Sequence, residues 1–260
     1  MIIRKKTDDP IAEAERLVMV DPLKIPYLTT QQMIEVDRLM VDVFGIQLVQ
    51  MMENAGRQLA VLARDRFLEG DPVNKRVIVL AGSGGNGGGA MASARNLHNW
   101  GAEIEIFLTK PFSDLKGVVQ KQAGILQSMG LQLSAAADLR KESGLDLVID
   151  GIIGYSLRGA PRDAAADLIT WANGRNAPIL ALDLPSGLDP GTGEVHQPVI
   201  EAAATMTLAL PKIGLKSPTR PVVGELYLAD IGVPPELYQQ PSLQLQVGPI
   251  FHEGQIIRLT

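Results

Sequence analysis

From Arg76 onward the chain falls into short apolar runs, each closed by Gly, Pro or Asp and most followed by a helical repeat of apolar positions. The runs are Arg76–Ala81 (RVIVLA), Glu103–Leu108 (EIEIFL), Leu145–Asp150 (LDLVID), Pro178–Asp183 (PILALD), Thr205–Leu210 (TMTLAL) and Glu225–Ala229 (ELYLA). Their length and β-branched content predict strands. Helices are predicted between them over Ala90–Trp100, Leu115–Met129 and Ala164–Asn173. Strands alternating with helices, the central ones apolar on both faces, imply an α/β fold. The expectation is a three-layer α/β/α Rossmann-like sandwich around a mostly parallel sheet.

Two helices precede the first of these strands. Thr29 and Gln32 have the capping-box spacing, and Met33, Val36, Met40 and Val43 recur at helical intervals until Gly45. Leu48, Met52, Ala55, Leu59 and Leu62 mark the second helix, whose apolar surface is interrupted by Glu53, Asn54 and Gly56. Residues 1–27 mix charge and Pro around a short helical pattern, Ile11–Met19, and read as an N-terminal extension. Residues 28–240 read as one domain. Residues 241–260 carry only a weak strand signal and read as a tail or an oligomer contact.

Composition narrows the chemistry. The 260 residues are 46% hydrophobic and 20% charged, which suits one globular domain with extensions. The chain has no Cys, which excludes disulfides, thiolate catalysis and zinc–thiolate sites, and its three His are far apart in sequence. Any metal is therefore expected on oxygen ligands. A net charge of −5 with 4% aromatic residues argues against a nucleic-acid groove. No apolar run approaches the roughly 18 residues of a membrane helix, and the charged start MIIRKKTDDP is unlike a signal peptide. A cytoplasmic protein is expected, binding neither membrane nor nucleic acid.

In such a sheet, ligands bind beyond the carboxyl ends of the strands. The first run continues into Gly82-Ser83-Gly84-Gly85-Asn86-Gly87-Gly88-Gly89, six glycines in eight positions. Each costs ~0.5–1 kcal/mol relative to Ala in regular structure. The loop is therefore expected to bring backbone against a ligand, and the helix N-terminus that follows suits phosphate. A merely tight turn needs only one or two glycines. Gly82, Gly84 and Gly87 fit GxGxxG, yet the next strand ends in Thr109, Lys110 and Pro111 without the ribose-binding acid of a dehydrogenase. The loop contains no Lys followed by Ser or Thr, so it is not a P-loop.

The third run ends in Asp150 and continues GIIGYSLRGAP; the fourth ends in Asp183 and continues LPSGLD. Two strands finishing on a carboxylate and a glycine turn put both acids at one sheet edge, where they can hold a cation or move protons; capping of the two turns is the alternative. Ser186 lacks the GxSxG elbow, which disfavours a serine hydrolase. Lys212, after the fifth run, either reaches a phosphate or developing charge or stands solvated in a loop.

As a set, these motifs resemble the NAD(P)H-hydrate epimerases, also called YjeF N-terminal domains. The matching pieces are MMENAG (Met51–Gly56), the loop around Asn86, Gly87 and Gly88, DGIIGYSLRG from Asp150, DLPSGLD from Asp183 and ALPKIGL from Ala209. They occur in the family's order over roughly residues 27–238. The resemblance implies repair of nicotinamide cofactor hydrated at C6 of the ring, by interconversion of the R and S epimers. It places a K+ on Asn86, Asp150 and Ser186; the chemistry of losing and regaining water at C6 makes Asp183 the expected catalytic residue, as base and electrostatic partner of the ring cation. Substrate contacts fall on Gly85, Asn86, Gly87, Gly88 and Gly89, on Gly154, Tyr155, Ser156, Leu157, Arg158, Gly159 and Ala160, and on Asp183; Lys212 joins them from the sheet edge. The implied partners are hydrated NADH or NADPH, a second copy in a homodimer, and a dehydratase on a separate chain. The family's loop usually reads NNGGDG, whereas Gly85 and Gly89 here replace its first Asn and its Asp. The alternative is accordingly a non-catalytic nucleotide-binding module or scaffold of the same fold.

Overall fold

A computed structural model describes residues 18–19, 25–139, 144–216 and 221–259. In chain order the elements are β1 (Val18–Met19), α1 (Thr30–Asp42), α2 (Leu48–Phe67), β2 (Arg76–Ala81), α3 (Gly85–Asn99), β3 (Glu103–Leu108), α4 (Gly117–Ser128), β4 (Leu133–Ala135), β5 (Leu147–Gly151), α5 (Asp163–Asn173), β6 (Ile179–Leu182), β7 (Ala204–Leu208), β8 (Glu225–Ala229), a short α6 (Pro235–Tyr238) and β9 (Ile256–Arg258). One sheet holds all nine described strands in the order β1-β9-β8-β7-β6-β5-β2-β3-β4. Pairing is parallel throughout except between β8 and β9.

The strands earn their place by alternation. Val77, Val79 and Ala81 of β2, Leu147 and Ile149 of β5, and Leu180 and Leu182 of β6 face one core with buried residues of α2, α3 and α4. Ile78 and Leu80 of β2, Val148 of β5 and Ala181 of β6 face the opposite side with Leu168, Ile169 and Ala172 of α5. Toward β8 and β9 that second side is covered by α1, α6 and the C-terminal segment, through Met33, Val36, Met40, Leu226, Leu228, Leu237 and Ile257. Each such buried aliphatic side chain contributes ~1.5–3 kcal/mol, so covering both faces is what holds a parallel sheet together. The expected three-layer architecture with two leading helices is the one observed.

The capping box forms as expected: the Thr29 amide donates to Gln32 Oε1 at 2.9 Å and the Gln32 amide to Thr29 Oγ1 at 3.1 Å. Several expectations need correction. Of Ile11–Met19, residues 11–17 lie outside the described residues, and Val18–Met19 pair with β9 as a strand rather than a helix. The last twenty residues are no free tail, because β9 sits between β8 and β1, and Leu243, Val247, Ile257 and Leu259 are buried. The helix expected from Ala90 begins five residues earlier, at Gly85, with Gly84 as its N-cap. The glycine segment is therefore largely the first turns of α3.

The strand order reverses between β5 and β2: β3 and β4 follow β2 to one side, and β6 to β8 follow β5 to the other. Diverging connections leave a crevice there, beyond the carboxyl ends of the strands.

Candidate active site

Four of the six glycines at positions 82–89 answer to the protein's own packing. A Cβ on Gly82 would lie 1.9 Å from the Ile152 carbonyl oxygen, one on Gly87 1.8 Å from the Gly82 carbonyl oxygen, one on Gly88 2.6 Å from Met52 Sδ, and one on Gly89 2.9 Å from Leu182 Cδ2. Helix α3 is pressed so closely on β2, β5 and α2 that side chains cannot fit. Gly84 and Gly85 meet nothing within 4 Å and are exposed. The glycines without a packing reason are thus Gly84 and Gly85, at the end of the segment where the first-turn amides of Gly85 and Asn86 have no acceptor within the helix.

Two clusters form at this edge. In the first, Asp150 is fully buried at the end of β5. Its Oδ1 accepts from the Ile152 amide (3.1 Å) and Ser186 Oγ (2.7 Å), and its Oδ2 from the Ser186 amide (2.8 Å). Ser186 Oγ also accepts from the Ile153 amide at 2.8 Å. Burial pushes the Asp150 carboxyl up to about 6, against the lowering effect of the Ser186 and Ile152 donors. Asn86 Nδ2 donates to the Leu182 carbonyl at 2.7 Å, and a Cβ on Gly154 would fall 2.4 Å from Asn86 Oδ1. A carboxylate, a hydroxyl and an amide oxygen thus converge, with no Lys or Arg in ion-pair range of Asp150 among the described residues.

The second cluster centres on Asp183, which follows β6. Its φ of 69° and the 2.9 Å bond from the Leu184 amide to the Leu182 carbonyl make a γ-turn of the rare, strained kind. The turn aims the carboxylate back across the sheet edge. Oδ1 pairs with Lys212 Nζ and accepts from Thr207 Oγ1 (3.3 Å); Oδ2 accepts from the Tyr155 amide (3.3 Å). Lys212 is 0% exposed and Asp183 2%. Lys212 Nζ also donates to the Leu208 carbonyl at 2.9 Å, and its backbone is pinned by Leu28, whose amide bonds Pro211 O at 2.8 Å and whose carbonyl receives the Ile213 amide at 2.9 Å. Lys212 is therefore neither solvated nor directed at a phosphate; it neutralises Asp183.

Gly85, Asn86, Gly89, Tyr155, Asp183 and Lys212 line one cleft, together with an apolar wall of Met33, Leu48, Met51, Met52, Ala55, Leu182, Leu208 and Ile231. Asp150 and Ser186 lie behind it. Of the remaining candidates, Gly87 and Gly88 are buried in packing, Leu157 is buried, and Ser156, Arg158 and Ala160 point outward beside Gly159, none of them lining the cleft. The MMENAG segment acquires a structural account: Met51 and Met52 form the wall, Asn54 Nδ2 holds the Ile231 carbonyl at 3.1 Å, and Gly56 lets α2 approach Ala92 of α3, where a Cβ would come within 2.5 Å.

Sequence reasoning missed Asp37. It lies on α1, lines the cleft and accepts a hydrogen bond from the Tyr155 hydroxyl on Oδ2. Burial raises its carboxyl above the usual range, against the lowering effects of Tyr155 and Lys212. A signal existed: Asp37 is four residues after Met33 and one after Val36, an acid placed on the buried stripe of an amphipathic helix.

Known proteins share this arrangement of sequence and fold. The family description "YjeF-related protein N-terminus" matches residues 48–214. The NAD(P)H-hydrate epimerase of Dehalogenimonas lykanthroporepellens is 41% identical over 243 residues, covering 93% of this chain and 94% of that protein. The NAD(P)H-hydrate epimerase of Rhodopirellula baltica is 33% identical over 231 residues, 87% of this chain and 93% of that one. The bifunctional NAD(P)H-hydrate repair enzyme of Moorella thermoacetica is 37% identical over 218 residues, 81% of this chain but 41% of that longer protein. The solved structure of yeast ynu0, YNL200c, matches with a TM-score of 0.73 at 25% identity, covering 90% of this chain and 100% of that one. This chain belongs to the family of YjeF-related N-terminal domains.

Proposed function

We propose that the chain is an NAD(P)H-hydrate epimerase, an isomerase that interconverts the R and S forms of NADH or NADPH hydrated at C6 of the nicotinamide ring. The observation that carries this reading is the buried Asp183–Lys212 pair at the floor of a cleft whose rim is the N-terminus of α3. A dinucleotide pyrophosphate at the first-turn Gly85 and Asn86 amides would lay the nicotinamide toward Asp183, against Met33, Met51 and Met52. Carbon C6 carries both the hydroxyl and the ring nitrogen. The nitrogen lone pair therefore helps expel the hydroxyl as water, leaving a planar iminium-like cation, and water returning to the opposite face inverts the centre. Asp183 supplies fixed negative charge beside that cation and a base for the returning water. The apolar wall keeps the reaction volume poor in competing solvent.

The reading includes a K+ held by Asn86, Asp150 and Ser186. The oxygen donor set, the buried Asp150 carboxylate without a cationic partner among the described residues, and the Asn86 oxygen cradled by Gly154 fit a hard monovalent cation. Such an ion supplies charge compensation that fixes the β5 and β6 loops. A homodimer in the cytoplasm and a dehydratase acting on the product complete the proposal and rest on the resemblance alone. Among the described residues no helix is long and apolar enough to cross a membrane.

The test is chromatographic. Hydrated NADH is incubated with the parent protein and with Asp183→Asn, and the R and S forms are followed in time. The parent is expected to accelerate interconversion and the variant to lose about 100-fold or more. A variant as fast as the parent removes Asp183 from the chemistry, and an inert parent leaves only the nucleotide-binding alternative.

A further inference from the structure

Epimerisation at one carbon needs proton handling on both faces of the ring, and a second carboxyl besides Asp183, Asp37, lines the cleft. Resting on the epimerase reading above, we propose that Asp37, held by the Tyr155 hydroxyl, is a second catalytic carboxyl that serves the face of the nicotinamide opposite Asp183. The geometry is the argument. Tyr155 spans the two acids: its backbone amide donates to Asp183 Oδ2 at 3.3 Å, and its ring hydroxyl donates to Asp37 Oδ2. Tyr155 thus bonds both carboxyls, one at the sheet edge and one on α1, and both line the same cleft. Inverting enzymes that pass water across a planar cation use two carboxyls spaced ~6.5–9.5 Å for the same reason.

The environments of the two acids differ in the direction the reaction requires. Asp183 is ion-paired with the buried Lys212. Asp37 has no Lys or Arg in ion-pair range among the described residues, and burial favours its neutral form. A carboxyl with a cationic partner and one without are suited to different roles.

The step balances. For the epimer whose hydroxyl faces Asp37, the C6–O bond breaks with its electron pair on oxygen, oxygen takes the Asp37 proton, and water leaves. The nitrogen lone pair forms the N1=C6 double bond. A water on the other side then gives an oxygen pair to C6, the π pair returns to nitrogen, and the released proton goes to Asp183. One proton has crossed from Asp37 to Asp183, and exchange with solvent restores the starting state; the reverse epimerisation runs the same steps backwards.

Asp37→Asn in ¹⁸O-labelled water separates the two faces. The expected result is interconversion slowed about 100-fold or more, while label still enters the C6 hydroxyl of one epimer, the one facing Asp183, above the uncatalysed rate. Tyr155→Phe keeps the ring and removes only the hydroxyl, and is expected to slow interconversion more than exchange, which guards against a folding defect in the first variant. The proposal is overturned where Asp37→Asn interconverts the epimers at the parent rate, or where exchange and interconversion fall in parallel in both variants. An inert parent protein would overturn the epimerase reading itself, an outcome distinct from either of these.

Discussion

Replacing Lys212 by Met isolates the energetics of the site from its chemistry. The residue is 0% exposed, its partner Asp183 is 2% exposed, and the ammonium makes three contacts: the Asp183 carboxylate, the Leu208 carbonyl at 2.9 Å and Thr207 Oγ1 at 3.4 Å. Methionine matches the length and apolar stem of lysine, so the cavity term is small. What remains is a buried carboxylate that has lost its counter-charge and keeps only the Tyr155 amide and the Thr207 hydroxyl, at 3.3 Å each. Removing one member of a buried pair costs about 3–5 kcal/mol, most of it the penalty of the stranded charge rather than the worth of the pair.

That account makes a second variant informative. In Lys212→Met/Asp183→Asn no charge is stranded, and the Asn oxygen can still accept from Tyr155 or Thr207. The double variant should therefore be more stable than Lys212→Met alone, by about 2 kcal/mol or more, a large coupling of the sort expected only for groups in contact. Urea unfolding at pH 7 reads both numbers, and equal m-values show that the same surface is exposed in each case. Two results would refute the reasoning: a Lys212→Met cost below about 1 kcal/mol, which would mean that solvent reaches the pair, or a double variant whose loss is simply the sum of the single losses.

Two further predictions bear on α3 and on Asp150. Gly87→Ala would put a Cβ 1.8 Å from the Gly82 carbonyl, whereas Gly85→Ala meets open space in the first turn of a helix. The former should lose at least ~1–3 kcal/mol and the latter gain ~0.4–1 kcal/mol in thermal unfolding; equal effects would show that the close approach of helix and strand is misjudged. In K+-free buffer, an Asp150 carboxyl pushed up to about 6 by burial favours the protonated fold, so its contribution is full below pH ~3.9 and lost as pH rises through about 6. The loss, about two pH units, amounts to ~3 kcal/mol. Asp150→Asn should flatten that decline between pH 4 and 6 in urea titrations, and K+ should stabilise the parent but not the variant at pH 7; identical pH slopes would contradict it.

What was legible in the sequence followed from period and punctuation. The β2, β5 and β6 runs, the Thr29–Gln32 capping box and the paired Asp150 and Asp183 strand ends could all be found because each is a local pattern. The start of α3 was hidden because glycine is a poor helix former, and only packing against the Gly82 carbonyl and Met52 explains why a helix is built from it. Lys212 was misjudged for the opposite reason. Its meaning lies in a side chain 29 residues away, and a lysine after a strand carries no local mark of total burial. Strand β9 was too short to announce itself, and its role as a sheet member depends on the β8 edge it covers.

Those hidden features share one place in the fold. Where the strand order reverses between β5 and β2, the chain leaves an opening that packing does not fill. The two buried acids on its β5–β6 side are handled in opposite ways. Asp183 is ion-paired with Lys212 inside the fold. Asp150 is given only neutral donors, two amides and a hydroxyl, with no Lys or Arg in ion-pair range among the described residues. The difference is set by a single loop: Leu28 pins the Lys212 backbone on the β7 side of the edge, within reach of Asp183, and the ion-pair range of Lys212 ends there. Loop anchoring by Leu28, rather than any residue of the glycine segment, thereby sets which of the two acids carries the ion pair.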